Sequence, residues 1–315
     1  MPKEPAESRF ITRDGTELYL RSRAAEGKAR GTVLIAHGMG ETADYYTEFA
    51  KTAACAGYRV MVPEMRGHGR TAGDIASDRY TGGDPGPDSL HRMAEDLCDV
   101  ARDAAGEPGA AERGALPLYL LGHSMGSVAA QLCAAMGAAP LRGLILTGVL
   151  SPDGSQAMLG YAQREVLERG PKADCRDTFH RMFDEAMTAY GPGGTPLDWI
   201  TSDPEMVRQS LAMPYTNVAF TNEFYRDFLC ALRETGREDT FRRLPRTLPV
   251  LILGGGEDYV GRHGQGPQAK YRQFQELGLG DVELTVYPGL RHSILREKAR
   301  ARVTQDILAW LAAHP

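Results

Sequence analysis

Four short runs of the chain are apolar at almost every position: Thr32 to Ala36, Tyr58 to Val62, Leu118 to Leu121 and Leu144 to Thr147. A strand with one wet face alternates apolar and polar residues, so runs without alternation point to strands covered on both faces, as in parallel sheets. Between them lie segments of helical spacing, Tyr45 to Ala56, Ser89 to Ala105 and Ser127 to Met136. In the second, Leu90, Met93, Leu97, Val100 and Ala101 share a face, while Glu95, Asp96, Asp99 and Arg102 fall elsewhere. Alternating strands and helices of this kind predict a doubly wound α/β sheet.

Ahead of the alternation, Phe10 to Arg13 and Glu17 to Arg21 flank Asp14-Gly15, the signal of an antiparallel hairpin. Behind it come Val250 to Leu253, a helix within Pro267 to Leu277, the strand Val282 to Tyr287 and a last helix from Glu297 to Ala312. The sum is a mostly parallel, eight-stranded α/β sheet. From about Pro152 to Leu244 the pattern changes to helical stretches without a strand. Met and aromatic residues concentrate there, namely Tyr161, Phe179, Met182, Phe183, Trp199, Met206, Phe220, Phe224, Tyr225 and Phe228. We therefore expect one core domain from residues 1–150 and 245–315, with residues 151–244 forming a helical cap inserted after the sixth strand. The segments Gly82 to Pro87 and Gly106 to Pro117 read as surface connections.

Composition narrows the function classes. A chain of 315 residues that is 42% hydrophobic and carries a net charge of −5 has the core of an enzyme and no basic field for nucleic acid. No apolar run approaches the ~20 residues of a membrane helix. The start, Met1 to Arg9, is polar, so no secretory signal is expected. Five cysteines, Cys55, Cys98, Cys133, Cys175 and Cys230, show no paired spacing, which argues against a disulfide framework or a zinc site and fits a cytoplasmic setting. Arg66-Gly67-His68-Gly69-Arg70 is too short for a basic patch and reads as a tight turn.

Candidate chemistry begins at Gly122-His123-Ser124-Met125-Gly126, which follows a buried strand and opens a helix. Such a turn lifts a serine hydroxyl above the sheet at a helix N-terminus, and its crowding demands the glycines. A serine hydroxyl needs a base, and the base an orienting carboxylate. His292 follows the strand Val282 to Tyr287 and Asp258 follows the strand Val250 to Leu253, which puts both at the same sheet edge as Ser124. Glu257 beside it and Asp153 past the sixth strand are alternative acids. Backbone amides must also face an oxyanion: Met125, after the serine, and Met39 in His37-Gly38-Met39-Gly40-Glu41, with Gly38 as the alternative to Met39. His37, His68 and His123 sit in glycine-flanked turns and read as structural, and His263 comes too soon after Asp258 to be the base.

Together these motifs, with Gly57-Tyr58-Arg59-Val60, Asp258-Tyr259-Val260-Gly261 and Tyr287-Pro288-Gly289-Leu290-Arg291-His292, resemble the monoacylglycerol lipase and lysophospholipase branch of the α/β-hydrolases, often labelled serine aminopeptidase-like. The resemblance implies a triad of Ser124, Asp258 and His292, oxyanion donors Met39 and Met125, and hydrolysis of carboxylic esters, often monoacyl lipids, with no cofactor and no metal. A small ester or lipid would be the partner, with transient contact to a membrane surface. The chain departs from the pattern at Thr42, Glu64, Tyr259 and Ser293, of which Thr42 and Ser293 are expected near the mouth of the site. The same triad also serves aminopeptidases, thioesterases and acyltransferases, and a non-catalytic receptor would keep the pocket alone.

Overall fold

The computed structural model describes residues 4–106, 116–152, 155–173, 176–190, 194–216 and 218–315. In chain order its elements are β1 (Ala6–Ile11), β2 (Glu17–Arg23), β3 (Gly31–Ala36), α1 (Thr47–Cys55), β4 (Tyr58–Pro63), α2 (Ser89–Ala105), β5 (Leu118–His123), α3 (Met125–Met136) and β6 (Leu141–Thr147). The helices α4 (Ser155–Arg169), α5 (Arg176–Thr188), α6 (Pro204–Ala212) and α7 (Asn222–Glu234) follow, then β7 (Val250–Gly255), α8 (Gln265–Glu276), β8 (Val282–Tyr287) and α9 (Arg300–Ala313).

One eight-stranded sheet has the order β1-β2-β4-β3-β5-β6-β7-β8. β2 runs against both of its neighbours, and every pair from β4 to β8 is parallel. The apolar runs explain the layering. Leu34, Ala36, Leu120, Leu144, Leu146 and Ile252 face a core completed by α2, α3 and Phe274 of α8, while Val33, Ile35, Leu121, Ile145 and Leu251 face another completed by α1 and α9. Successive strand residues point to opposite faces, so both parities must be apolar. Each fully buried Leu or Ile contributes roughly 1.5–3 kcal/mol of transfer free energy.

Three expected features differ. β1 begins at Ala6 and ends at Ile11, because Thr12 to Thr16 form the turn and the Arg13 amide donates to Asp99 at 2.9 Å. The helix expected from Tyr45 starts as a single 3₁₀ turn, and α1 proper begins at Thr47. Gly82 to Pro87 is not a free surface connection: the Gly83 amide donates to Gly67 at 2.8 Å and its carbonyl accepts from Thr221 at 3.1 Å, tying the turn after β4 to the start of α7. Of the Gly106 to Pro117 connection, residues 107–115 lie outside the described residues, as do Asp153 and Cys175. Cys98 and Cys133, distant in sequence, meet between α2 and α3 with sulfurs 2.8 Å apart.

The cations of Arg66 and Arg70 turn inward. Arg66 pairs with Asp96 at 2.6 Å and Asp14 at 2.7 Å, and Arg70 with Glu64 at 2.7 Å. No helix among the described residues is long and apolar enough to cross a membrane.

Candidate active site

Ser124 occupies the one-residue corner between β5 and α3, with φ 53° and ψ −121°. A side chain held there costs roughly 1–3 kcal/mol in backbone strain. The glycines on either side are needed for space: a Cβ on Gly122 would lie 2.7 Å from the Ala130 methyl, and one on Gly126 would collide with the Ala36 carbonyl. Hydrogen bonds pin the corner from both directions. Its amide donates to the Thr147 carbonyl at 3.0 Å, and its carbonyl accepts from the Ser127 amide at 2.8 Å and hydroxyl at 2.7 Å.

His292 reaches this hydroxyl from the loop after β8. Its Nε2 lies 2.8 Å from Ser124 Oγ, and its Nδ1 lies 2.9 Å from Oδ2 of Asp258, in the loop after β7. Asp258 is buried, and its other oxygen accepts the Gly261 amide at 3.0 Å. Burial alone would push this carboxyl up, but the charge of His292, its hydrogen bond and the Gly261 amide outweigh burial and hold it below the ordinary range. Burial would likewise push His292 down, yet the charge and hydrogen bond of Asp258, with a contribution from Glu41, leave it above 6.5. Among the alternative acids, Glu257 is exposed and Asp153 is not described.

The remaining histidines have other employment. His37 Nε2 accepts the Met65 amide at 2.9 Å, and burial pushes the ring down to about 3. His68 Nδ1 meets the Arg66 carbonyl at 2.8 Å, and burial takes it to about 4. His123, also pushed to about 4 by burial, stands between Thr147 Oγ1 at 2.9 Å and Ser293 Oγ at 3.0 Å, and its ring centroid is 5.0 Å from that of His292. His263 is exposed.

Met39 lines the cavity above Ser124, and Met125 begins α3. Among the described residues neither backbone amide donates to a protein acceptor. Both are donors without a protein acceptor, at the two positions the sequence offers for an oxyanion. Of the departures expected near the mouth, Thr42 and Ser293 are both buried. Thr42 lies off the cavity wall, while Ser293 contributes to it. The physical reason is that Thr42 precedes the inward 3₁₀ turn whose Tyr45 and Tyr46 are buried, and Ser293 is drawn in by His123.

The cavity encloses about 330 Å³ and its walls come from both regions of the chain. Phe183, Trp199, Phe220, Tyr225 and Phe228 supply apolar surface from between β6 and β7, and Met39, Tyr45 and Leu150 add to it. Trp199 stacks on Phe183 at 5.6 Å and lies 5.1 Å from the His292 ring. Tyr161, Met182, Met206 and Phe224 do not line it, and the side chain of Phe179 lies outside the described residues. From the sequence Trp199 was expected only as one of the cap's aromatic residues, and Glu41 had no role, although it sat within a quoted motif. The one grouping of metal-type ligands among the described residues is Asp281, Glu283 and His314, at the opposite end of β8, where His314 and Asp281 already pair at 3.1 Å.

A hydroxyl raised on a strand-to-helix corner, with an imidazole and a carboxylate delivered from the same edge of a mostly parallel sheet, defines an α/β-hydrolase. The chain belongs to the Hydrolase_4 family (serine aminopeptidase, S33), whose sequence model matches residues 27–299. It is similar to a monoacylglycerol lipase of Mycolicibacterium smegmatis, 26% identical over 90% of this chain and 89% of that one, and to monoglyceride lipase of Homo sapiens, 23% identical over 96% and 89%. Among solved structures it resembles a thermostable carboxyl esterase of Bacillus coagulans, with a TM-score of 0.85, 26% identity and 99% of both chains covered. A monoglyceride lipase of Saccharomyces cerevisiae superposes with a TM-score of 0.72 at 21% identity, covering 100% of this chain and 96% of that one. These likenesses support a hydrolase acting on esters.

Proposed function

We propose that the protein hydrolyses carboxylic esters through an acyl-enzyme on Ser124. His292 takes the hydroxyl proton as Ser124 attacks the ester carbonyl, and then passes it to the departing alcohol. Water repeats the cycle and frees the acid. Asp258 keeps the imidazole in the productive tautomer and stabilises its charge, and the amides of Met39 and Met125 receive the oxyanion. The observation that carries this reading is the unbroken row Asp258–His292–Ser124, at 2.9 and 2.8 Å, whose Ser124 and His292 line an apolar cavity.

For the substrate we propose a monoacyl lipid such as a monoacylglycerol or lysophospholipid. Its support is the aromatic and methionine lining of the cavity, which suits an adaptable acyl chain, together with the activity named for the lipase relatives. Residues 151–244 then serve as the cap that closes this cavity over the core formed by 1–150 and 245–315.

Purified protein assayed against monoacylglycerols, lysophospholipids, a chain-length series of p-nitrophenyl esters and amino-acid anilides tests both parts. The reading expects ester turnover with a preference for acyl chains over anilides, lost by on the order of 10⁴ to 10⁶ in Ser124→Ala. Anilide cleavage with inert esters would instead favour a peptidase.

A further inference from the structure

A second buried carboxyl group lies beside His123, whose ring packs on His292. Glu41, in the loop after β3, accepts the Gly38 amide through Oε2 at 2.8 Å and the Tyr46 hydroxyl at 2.7 Å. Its Oε1 lies 3.6 Å from Nε2 of His123, whose ring packs on His292. The Glu41 amide also donates to the Gly38 carbonyl at 3.2 Å, and His37 Nδ1 meets that carbonyl at 2.8 Å. Gly38 is thus held at both of its backbone groups. Because the peptide bond is planar and trans, fixing the Gly38 carbonyl on one side aims the Met39 N–H to the other. A side chain at position 38 would press on this arrangement, since its Cβ would lie 3.0 Å from Cδ of Glu41 and 3.2 Å from the His123 ring.

We propose that Glu41 is a positioning residue for this hydrolysis: its carboxylate holds the Gly38 N–H, while its backbone amide holds the Gly38 carbonyl, so that together they pin the residue whose next peptide presents the Met39 amide to the oxyanion, and it stands as a second acid beside the His123–His292 ring pair. The proposal rests on the ester-hydrolysis reading above. Burial pushes His68 and His123 down to about 4, which keeps both uncharged, and pushes Tyr45 and Tyr46 up, which keeps them protonated. The cation nearby, Arg296, stacks on Tyr45 at 4.4 Å and donates to the Met206 carbonyl and the Ser210 hydroxyl. Against His292 itself stand Asp258, Ser124, His123 and Trp199, and Asp258, with Glu41 further off, acts to raise it.

The test compares Glu41→Ala, Glu41→Gln and Tyr46→Phe with wild type in the full chain, measuring kcat and KM for p-nitrophenyl butyrate across pH. Glu41→Ala should lose about 10²- to 10³-fold in kcat, as when an oxyanion donor is removed, with KM within about threefold. Glu41→Gln keeps an acceptor for the Gly38 amide but no charge. It should recover most of kcat while the acid limb of kcat/KM moves to lower pH. Tyr46→Phe should cost kcat less than Glu41→Ala does, and it remains informative if the alanine variant does not fold. A wild-type kcat in folded Glu41→Ala, or an acid limb in Glu41→Gln that stays in place, overturns the proposal. Turnover persisting in Ser124→Ala would instead refute the hydrolysis reading on which it stands.

Discussion

The indole of Trp199 lies 5.1 Å from the imidazole of His292, tilted by 36°. The backbones join there as well, since the Ser293 amide donates to the Ile200 carbonyl at 2.7 Å. Trp199 belongs to the stretch between α5 and α6, so a residue from the inserted helical region forms one wall around the proposed base.

An aromatic pair of this kind contributes roughly 0.5–1.5 kcal/mol beyond area burial. Trp199→Ala should therefore lower kcat/KM for short esters by about 2- to 13-fold, with part of the loss restored in Trp199→Phe. Steady-state kinetics on p-nitrophenyl acetate would check this, and an unchanged kcat/KM would show that the wall does not hold the imidazole.

The pH profile follows from the direction of two shifts. His292 must be uncharged to accept a proton, so activity falls as pH drops through its pKa. That pKa stands above 6.5 because Asp258, with help from Glu41, outweighs burial. The acid limb of kcat/KM should lie above 6.5 in wild type. In Asp258→Asn it should move down, and kcat should fall by about 10⁴-fold as the tautomer is lost. An acid limb at or below 6.5 in wild type would contradict the raised pKa of His292.

How much of this was legible in the sequence depends on what each segment packs against. Val33 to Ala36 announces a parallel strand because both its faces are buried, whereas β1 is mostly exposed and its extent had to be set by the turn at Thr12 to Thr16. The row Ser124–His292–Asp258 was readable since the sheet places strand ends at one rim. The contact of Trp199 with His292 was not, because it joins residues 93 positions apart through helices whose packing no periodicity encodes. Glu41 stood in view within its motif, but its hydrogen bonds to Gly38 and Tyr46 arise only once the loop has turned.

Gly148 offers a steric test. With φ 57° and a Cβ that would lie 2.8 Å from Cε1 of His123 and 3.0 Å from Cε1 of His292, it leaves both rings no room to yield. Gly148→Ala should reduce kcat by about 10²-fold, as displacement of a positioned group by about 1 Å does. Circular dichroism melting should show the variant still folded. Full activity in Gly148→Ala would mean the imidazoles have slack.

Lys270 on α8 donates to the Thr235 carbonyl at the end of α7 and to Gln273, both at 2.6 Å. Burial pushes its pKa from the ordinary 10.5 down to about 7. Between these values the unfolded chain binds more protons at this site than the folded one, so stability rises with pH through that window and the penalty is complete below it. Lys270→Met removes the penalty, so its Tm relative to wild type should be higher at pH 6 than at pH 10 by a few degrees. Scanning calorimetry at the two pH values decides this, and an equal difference at both would contradict it.

The central claim is that Ser124 carries the acyl group. Intact-mass and peptide mass spectrometry of the protein quenched in acid during turnover of a p-nitrophenyl ester, or after a fluorophosphonate, measures it directly. The account predicts one adduct per chain on the peptide containing Ser124, absent from Ser124→Ala and greatly slowed in His292→Ala. An adduct on another residue, or turnover of esters by Ser124→Ala at the wild-type rate, would contradict it.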